Sequence, residues 1–232
     1  YWEDGAQVAT PRDMEVIAEV NKVTDYNTVK TMDKDEAVKA GLYNVIGKEI
    51  DDAYMVELKK QIIHPEIIKE VAEDVKIVYT PLHGTGNVPV RRVLEELGFK
   101  NVYVVPEQEL PDGNFPTVAS PNPEEPAALN MAIEKGKEVD ADIIMASDPD
   151  ADRLGVAVKN DKGEFVLING NQIAILLLNY IMTRSREMGT LKGNEFIVKT
   201  IVTSELIKTI ADKNSIKCYD CYTGFKWIAS VI

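Results

Sequence analysis

The chain has 232 residues, 45% of them hydrophobic and 28% charged, an ordinary soluble composition with room for more than one domain. Its net charge of −12 and pI near 4.7 exclude a nucleic-acid surface, which needs clustered Lys and Arg, so any phosphate ligand must be gripped by a few local cations. The longest apolar stretch, 173–182, is broken by Asn179 and is about half the ~20 residues that span a bilayer, so no membrane segment is expected.

In chain order, the opening Tyr1-Trp2-Glu3-Asp4-Gly5 has neither the basic nor the apolar stretch of a cleavable leader, and with two cysteines in the whole chain a reducing cytoplasm is expected. Met14, Ile17, Ala18 and Val20 predict a helix over 11–21, capped by Thr10 with Pro11 at its first position. A short helix over 34–40 and a longer one over 51–63 follow, the latter closed by His64-Pro65, with a further helix from Pro65 to Glu73. From Val75 the texture changes to alternating strands and helices. Strands are predicted over 76–80, 101–105 and 141–145, with helices over 88–97 and, after a Pro-rich loop, over 126–135. Two more strands, 154–158 and 165–168, flank the turn Asn160-Asp161-Lys162-Gly163. This is a βαβαβ pattern. A second unit starts near Gly170, with a helix over 172–186, a strand over 195–200, a helix over 204–213 and a strand over 217–222. Cys218 and Cys221 in that last strand are the chain's two cysteines. With no second pair, and with His64 and His83 far upstream, they read as reduced thiols in preference to a redox pair or half a zinc site. A last helix barely begins before Ile232, and the second sheet has few strands to cover, so the polypeptide reads as a fragment of a longer protein.

The most informative run is Ile143-Ile144-Met145-Ala146-Ser147-Asp148-Pro149-Asp150-Ala151-Asp152-Arg153. It sets three carboxylates at alternate positions after an apolar strand. Close carboxylates repel by ~4 kcal/mol per pair at an effective dielectric near 20. A hard cation such as Mg²⁺ removes that conflict, and because Mg²⁺ is usually shared with substrate phosphates the spacing points to a phosphorylated ligand. Arg153 suits bidentate contact with such a phosphate. An EF-hand is excluded, because its sixth and twelfth positions would be Arg153 and Lys159 instead of Gly and Glu. Two alternatives stay open from spacing alone. One is a solvated turn in a non-catalytic α/β binding module; the other is a Mg²⁺-dependent phosphatase with Asp148 as nucleophile.

Other motifs are weaker. Gly84-x-Gly86 lies between a strand and a helix, with Glu107 about twenty residues on, but Pro89 stands where a dinucleotide loop needs its third glycine. It reads as a tight structural turn, with His83 capping backbone. Ser120, framed by Pro121 and Pro123, has no base nearby in sequence and reads as a rigid connector. Lys199, at the end of an apolar strand, needs a polar site for its amine, and Thr223-Gly224-Phe225-Lys226 follows the last strand.

Taken together, Thr80-Pro81-Leu82-His83-Gly84-Thr85-Gly86, the stretch 115–126, Ser147-Asp148-Pro149-Asp150-Ala151-Asp152-Arg153-Leu154-Gly155 and Tyr222-Thr223-Gly224-Phe225-Lys226-Trp227 closely resemble the α-D-phosphohexomutases, the phosphoglucomutase and phosphomannomutase family. The resemblance covers nearly the whole chain. It implies consecutive three-layer α/β domains with mixed sheets, truncated at both ends: the end of domain I over 1–62, domain II over 63–168 and the opening of domain III over 169–232. It implies an isomerase that moves a phosphoryl group between C1 and C6 of a hexose phosphate through a phosphoserine and a bisphosphate intermediate. Mg²⁺ is the cofactor, with a glucose 1,6-bisphosphate-type activator in the full enzyme. By this likeness Asp148, Asp150 and Asp152 hold the ion and Arg153 stands beside the phosphate. Thr223, Gly224 and Lys226 belong to sugar recognition. Lys199 transfers a proton, provided that burial beside cations lowers its pKa. The family's Thr-Ala-Ser-His-Asn-Pro loop does not occur, Ser120 belonging to the second-domain stretch, and the Gly-Glu-x-Ser-Gly sugar loop is absent too. The chain alone is therefore expected to bind metal weakly and to lack mutase activity. The sugar and the oligomeric state are not encoded in these residues.

Overall fold

The computed structural model describes residues 1–3 and 5–232; Asp4, part of the opening pentapeptide, lies outside them. The chain divides into two units, Glu49–Met188 and a second formed by Tyr1–Lys48 together with Gly189–Ile232.

The N-terminal stretch carries α1 (Arg12–Val20) and α2 (Lys34–Lys39). Thr10 does not cap α1: its hydroxyl donates to the Asp13 side chain, and Pro11 occupies the cap position. Asp33 caps α2 by accepting the amides of Asp35 and Glu36.

The larger unit is built on α3 (Lys48–Lys59), α4 (Pro65–Val71), β1 (Lys76–Thr80), α5 (Asn87–Glu96), β2 (Asn101–Val104), α6 (Pro106–Glu109), α7 (Asn130–Val139), β3 (Ile143–Ser147), β4 (Leu154–Lys159), β5 (Phe165–Ile168) and α8 (Gly170–Glu187). Its sheet runs β2-β1-β3-β4-β5. The first three strands are parallel and the last two antiparallel, so the sheet is mixed. β1 lies between two parallel neighbours and is almost wholly buried, as its Ile77-Val78-Tyr79 run demands. Val78, Leu82, Leu129, Ala132, Ile144 and Ala157 make the heart of the core. α7 packs on β1 and β3 and ends at Asp140, whose left-handed conformation (φ 55°) turns the chain into β3.

Several boundaries differ from the sequence expectation. The helix expected over 51–63 ends at Lys59, because residues 60–62 form three-residue turns back onto Glu57, Leu58 and Lys59. The one expected over 126–135 begins as a 3-10 turn, Pro126–Leu129, and becomes α-helical from Asn130 to Val139. β3 lies two residues later than expected, since the amide of Ala141 still closes α7 by donating to Gly136. α6, inside the presumed Pro-rich loop, was not expected.

The second unit adds β6 (Phe196–Thr200), α9 (Leu206–Lys213), β7 (Lys217–Cys221) and α10 (Phe225–Ala229). β6 and β7 are parallel, with Lys199 opposite Asp220, and α9 is the crossover packed on β7. Among the described residues no helix is long and apolar enough to cross a membrane.

Candidate metal centre

In the mixed sheet the connection from β1 leads outward to β2 on one side, while β3 lies on the other. The carboxyl ends of β1 and β3 therefore flank a topological switch point, where open α/β sheets place ligands. Loop 148–153 leaves β3 at this edge, and turn 81–86 leaves β1 beside it.

Asp148, Asp150 and Asp152 each offer a carboxylate oxygen, and the three oxygens lie within 4.8 Å of one another. Opposite ligands of an octahedral ion at 2.0–2.1 Å are ~4.2 Å apart, so small side-chain adjustments bring this all-oxygen set onto Mg²⁺. Asp148 is buried and Asp150 and Asp152 are exposed. Asp148 is fixed from behind: its Oδ1 accepts the Arg153 amide at 3.0 Å, and its Oδ2 lies 3.7 Å from the Arg153 Nε. The Arg153 side chain, about half exposed, is also 3.7 Å from Asp152. The amide of Ala151 donates to the Asp148 carbonyl, and Ala151 itself is left-handed (φ 60°). A non-glycine residue held there costs ~1–3 kcal/mol and persists only where its surroundings enforce it.

Turn 81–86 supplies those surroundings. Gly84 packs so tightly that a Cβ would lie 2.7 Å from the Pro149 carbonyl oxygen and 2.9 Å from that of Asp148. A Cβ on Gly86 would meet Ser147 Oγ at 2.6 Å and Tyr79 Oη at 2.7 Å. Between them, Thr85 donates its amide (2.8 Å) and hydroxyl (3.1 Å) to the Pro149 carbonyl. The glycines of this turn are thus filled by protein, which leaves the dinucleotide alternative without room for a pyrophosphate. Tyr79 and Ser147 share a 2.7 Å hydrogen bond behind the loop, and burial pushes the Tyr79 phenol up.

The other expected site residues belong to the second unit. Lys199 is 4% exposed, and its Nζ pairs with Asp220 at 2.7 Å and Glu205 at 2.8 Å. These two carboxylates raise the amine pKa, against the lowering expected from sequence; the cations thought to surround it are anions in fact. Thr223 and Gly224 are exposed, and Gly224 takes φ 124°, which side-chain-bearing residues rarely adopt. Lys226 Nζ donates to Asp13 at 3.2 Å and stands 5.1 Å from the centre of the Trp227 ring. Cys218 and Cys221 are free thiols, and burial, with Asp220 nearby, raises the Cys218 pKa. Ser120 donates to Glu125 on the surface.

Residues 52–163 match the family model described as phosphoglucomutase/phosphomannomutase alpha/beta/alpha domain II, and residues 169–232 match domain III of the same description. Among curated relatives, a probable phosphomannomutase of Haemophilus influenzae is 36% identical over 98% of the chain and 43% of its own length. A phosphoglucomutase of Staphylococcus saprophyticus is 32% identical over 100% of the chain and 41% of its own. The chain thus spans about two fifths of the relatives it matches. A solved structure, a putative phosphomannomutase from Thermus thermophilus, superposes with a TM-score of 0.59 at 22% identity, over 78% of this chain and 38% of that one; the likeness is one of fold.

Proposed function

Because the chain belongs to the phosphoglucomutase/phosphomannomutase family, we propose that it supplies the Mg²⁺-binding loop of a phosphohexomutase, which moves a phosphoryl group between the C1 and C6 oxygens of a hexose phosphate. The observation that carries this reading is the convergence of the Asp148, Asp150 and Asp152 oxygens within 4.8 Å at the ligand-binding edge of the sheet. When bound, Mg²⁺ neutralises charge on the phosphoryl oxygens, the main service that such a transfer asks of a site. Asp148, immobilised by the Arg153 amide, sets the position of the donor cluster. Arg153, with its guanidinium half exposed, takes phosphate oxygens in two parallel hydrogen bonds. A nucleophilic Asp148, as in the phosphatase alternative, is the poorer reading, since that carboxylate is buried and already engaged.

We assign residues 1–62, 63–168 and 169–232 to the end of domain I, domain II and the opening of domain III. In the whole protein the phosphoserine and a glucose 1,6-bisphosphate-type activator complete the cycle, in the cytoplasm. Thr223, Gly224 and Lys226 serve sugar recognition. Asp220 and Glu205 raise the Lys199 amine pKa and so make it a weaker proton donor while they hold it, and Lys199 exchanges a proton with a sugar oxygen only once those carboxylates let go.

The test is Asp150→Asn in the whole protein, assayed for glucose 1-phosphate conversion against Mg²⁺ concentration. Removing an ion ligand is expected to cost more at limiting Mg²⁺ than the ~10–100-fold that outer partners cost. A folded variant with an unchanged rate would overturn the assignment.

A further inference from the structure

We infer that turn 81–86, locked by His83, is a positioning brace that holds loop 148–152 in its ion-binding shape; this rests on the Mg²⁺ reading above. His83 sends its own hydrogen bonds away from the carboxylates. Its Nδ1 faces the Leu110 carbonyl at 3.0 Å and must therefore carry the proton, which leaves Nε2 to accept from the Thr117 hydroxyl at 2.8 Å. Thr117 Oγ1 in turn accepts from Gln108 Nε2 (3.1 Å), Gln108 Oε1 accepts the Thr80 hydroxyl (2.7 Å), and Thr80 Oγ1 accepts the Leu82 amide (3.2 Å). The relay begins at the residue before His83 and ends on its ring, with one direction for every link. Thr80 and Gln108 are fully buried and His83 nearly so, so a broken link would strand a polar group away from water.

What this network holds is a strained shape. Leu82 (φ 47°) and His83 (φ 62°) are consecutive left-handed residues without the freedom of glycine. In this shape Gly84 and Thr85 lie flush against the backbone of Pro149, between the first two aspartates, and Gly86 lies against the side chains of Ser147, just before Asp148, and Ala151, between the last two. An observed outlier that abuts a ligand loop points to pre-organisation. Groups that orient metal ligands from outside are typically worth ~10–100-fold in affinity.

The experiment is Mg²⁺ calorimetry on the chain and on His83→Ala, His83→Asn and Gly84→Ala, with ion-free melting and hydrogen exchange at the Arg153 amide alongside. His83→Ala is expected to weaken Mg²⁺ binding at least ~10-fold and to speed Arg153 exchange. His83→Asn, which tolerates the left-handed conformation and keeps a donor for Leu110, should recover part of both. Gly84→Ala leaves the relay intact but drives a methyl into Pro149, so it should lose affinity to a similar degree; it decides the matter if His83→Ala fails to fold. Wild-type affinity in folded His83→Ala and Gly84→Ala, with the unaltered chain binding Mg²⁺, would overturn the brace alone. No binding by the unaltered chain would overturn the Mg²⁺ reading and the brace with it.

Discussion

Lys199 illustrates how a single charge is kept inside this protein. Its side chain is 2% exposed, whereas its partners Asp220 and Glu205 are 43% and 73% exposed. The desolvation cost falls on the amine and the carboxylates stay in reach of water. Removing the amine and removing its partners should therefore differ. Lys199→Met replaces a buried ion by an apolar chain of similar length and is expected to change stability by less than ~1 kcal/mol, because the two carboxylates simply hydrate. Asp220→Asn with Glu205→Gln strands the ammonium and should cost ~3 kcal/mol. Urea denaturation at pH 7 separates the two, and equal losses would contradict this account. The pH dependence follows from the same contacts. Asp220, then Glu205, raise the amine pKa, so the pair's contribution is fully present below the unfolded lysine value of ~10.4. It is lost only as pH rises through the higher folded value.

Among the elements, those with a local cause for their ends were readable from sequence. β1 and β5 match their predicted limits because polar or turn residues bracket each apolar run. α8 starts at Gly170, two residues before its expected start, because Asn169 caps it and forms with Gln172 a reciprocal capping box in which each side chain accepts the other residue's amide. Asn169→Ala should therefore lower stability by about 1 kcal/mol, read as a shifted urea midpoint with unchanged slope; no shift would mean that tertiary packing alone sets this end. α6 was missed although Pro106 at its first position, followed by Glu107 and Glu109, is a helix-start signal; four residues give no periodicity to confirm it. The aspartate cluster was legible because its three carboxylates share one short segment. The contacts of turn 81–86 were not, since His83 reaches Leu110 and Thr117, 27 and 34 residues on, and the turn meets loop 148–152 only because β1 and β3 pair in parallel. The surroundings of Lys199 were misjudged for the same reason: Asp220 comes opposite it only through the β6–β7 register.

At the scale of the whole molecule, an acidic protein is proposed to handle an anionic sugar phosphate. The net charge of −12 repels such a ligand at long range, so binding must rest on a few placed cations, of which the ion between Asp148, Asp150 and Asp152 would be the strongest. Without it, the carboxylate cluster adds to the repulsion. The two units carry different parts of the proposed chemistry: the aspartate loop and Arg153 lie in Glu49–Met188, and Lys199, Thr223, Gly224 and Lys226 in the other. The chain covers about two fifths of its relatives' length, and the phosphoserine is assigned to the remainder. The proposed chemistry therefore requires this chain to hold the ion between the Asp148, Asp150 and Asp152 carboxylates. Crystals soaked in Mn²⁺, which shares the octahedral oxygen preference of Mg²⁺, would locate it by anomalous scattering. One strong peak is expected within about 2.5 Å of an oxygen from each of Asp148, Asp150 and Asp152. A peak elsewhere, or three carboxylates turned apart with no ion between them, would contradict it.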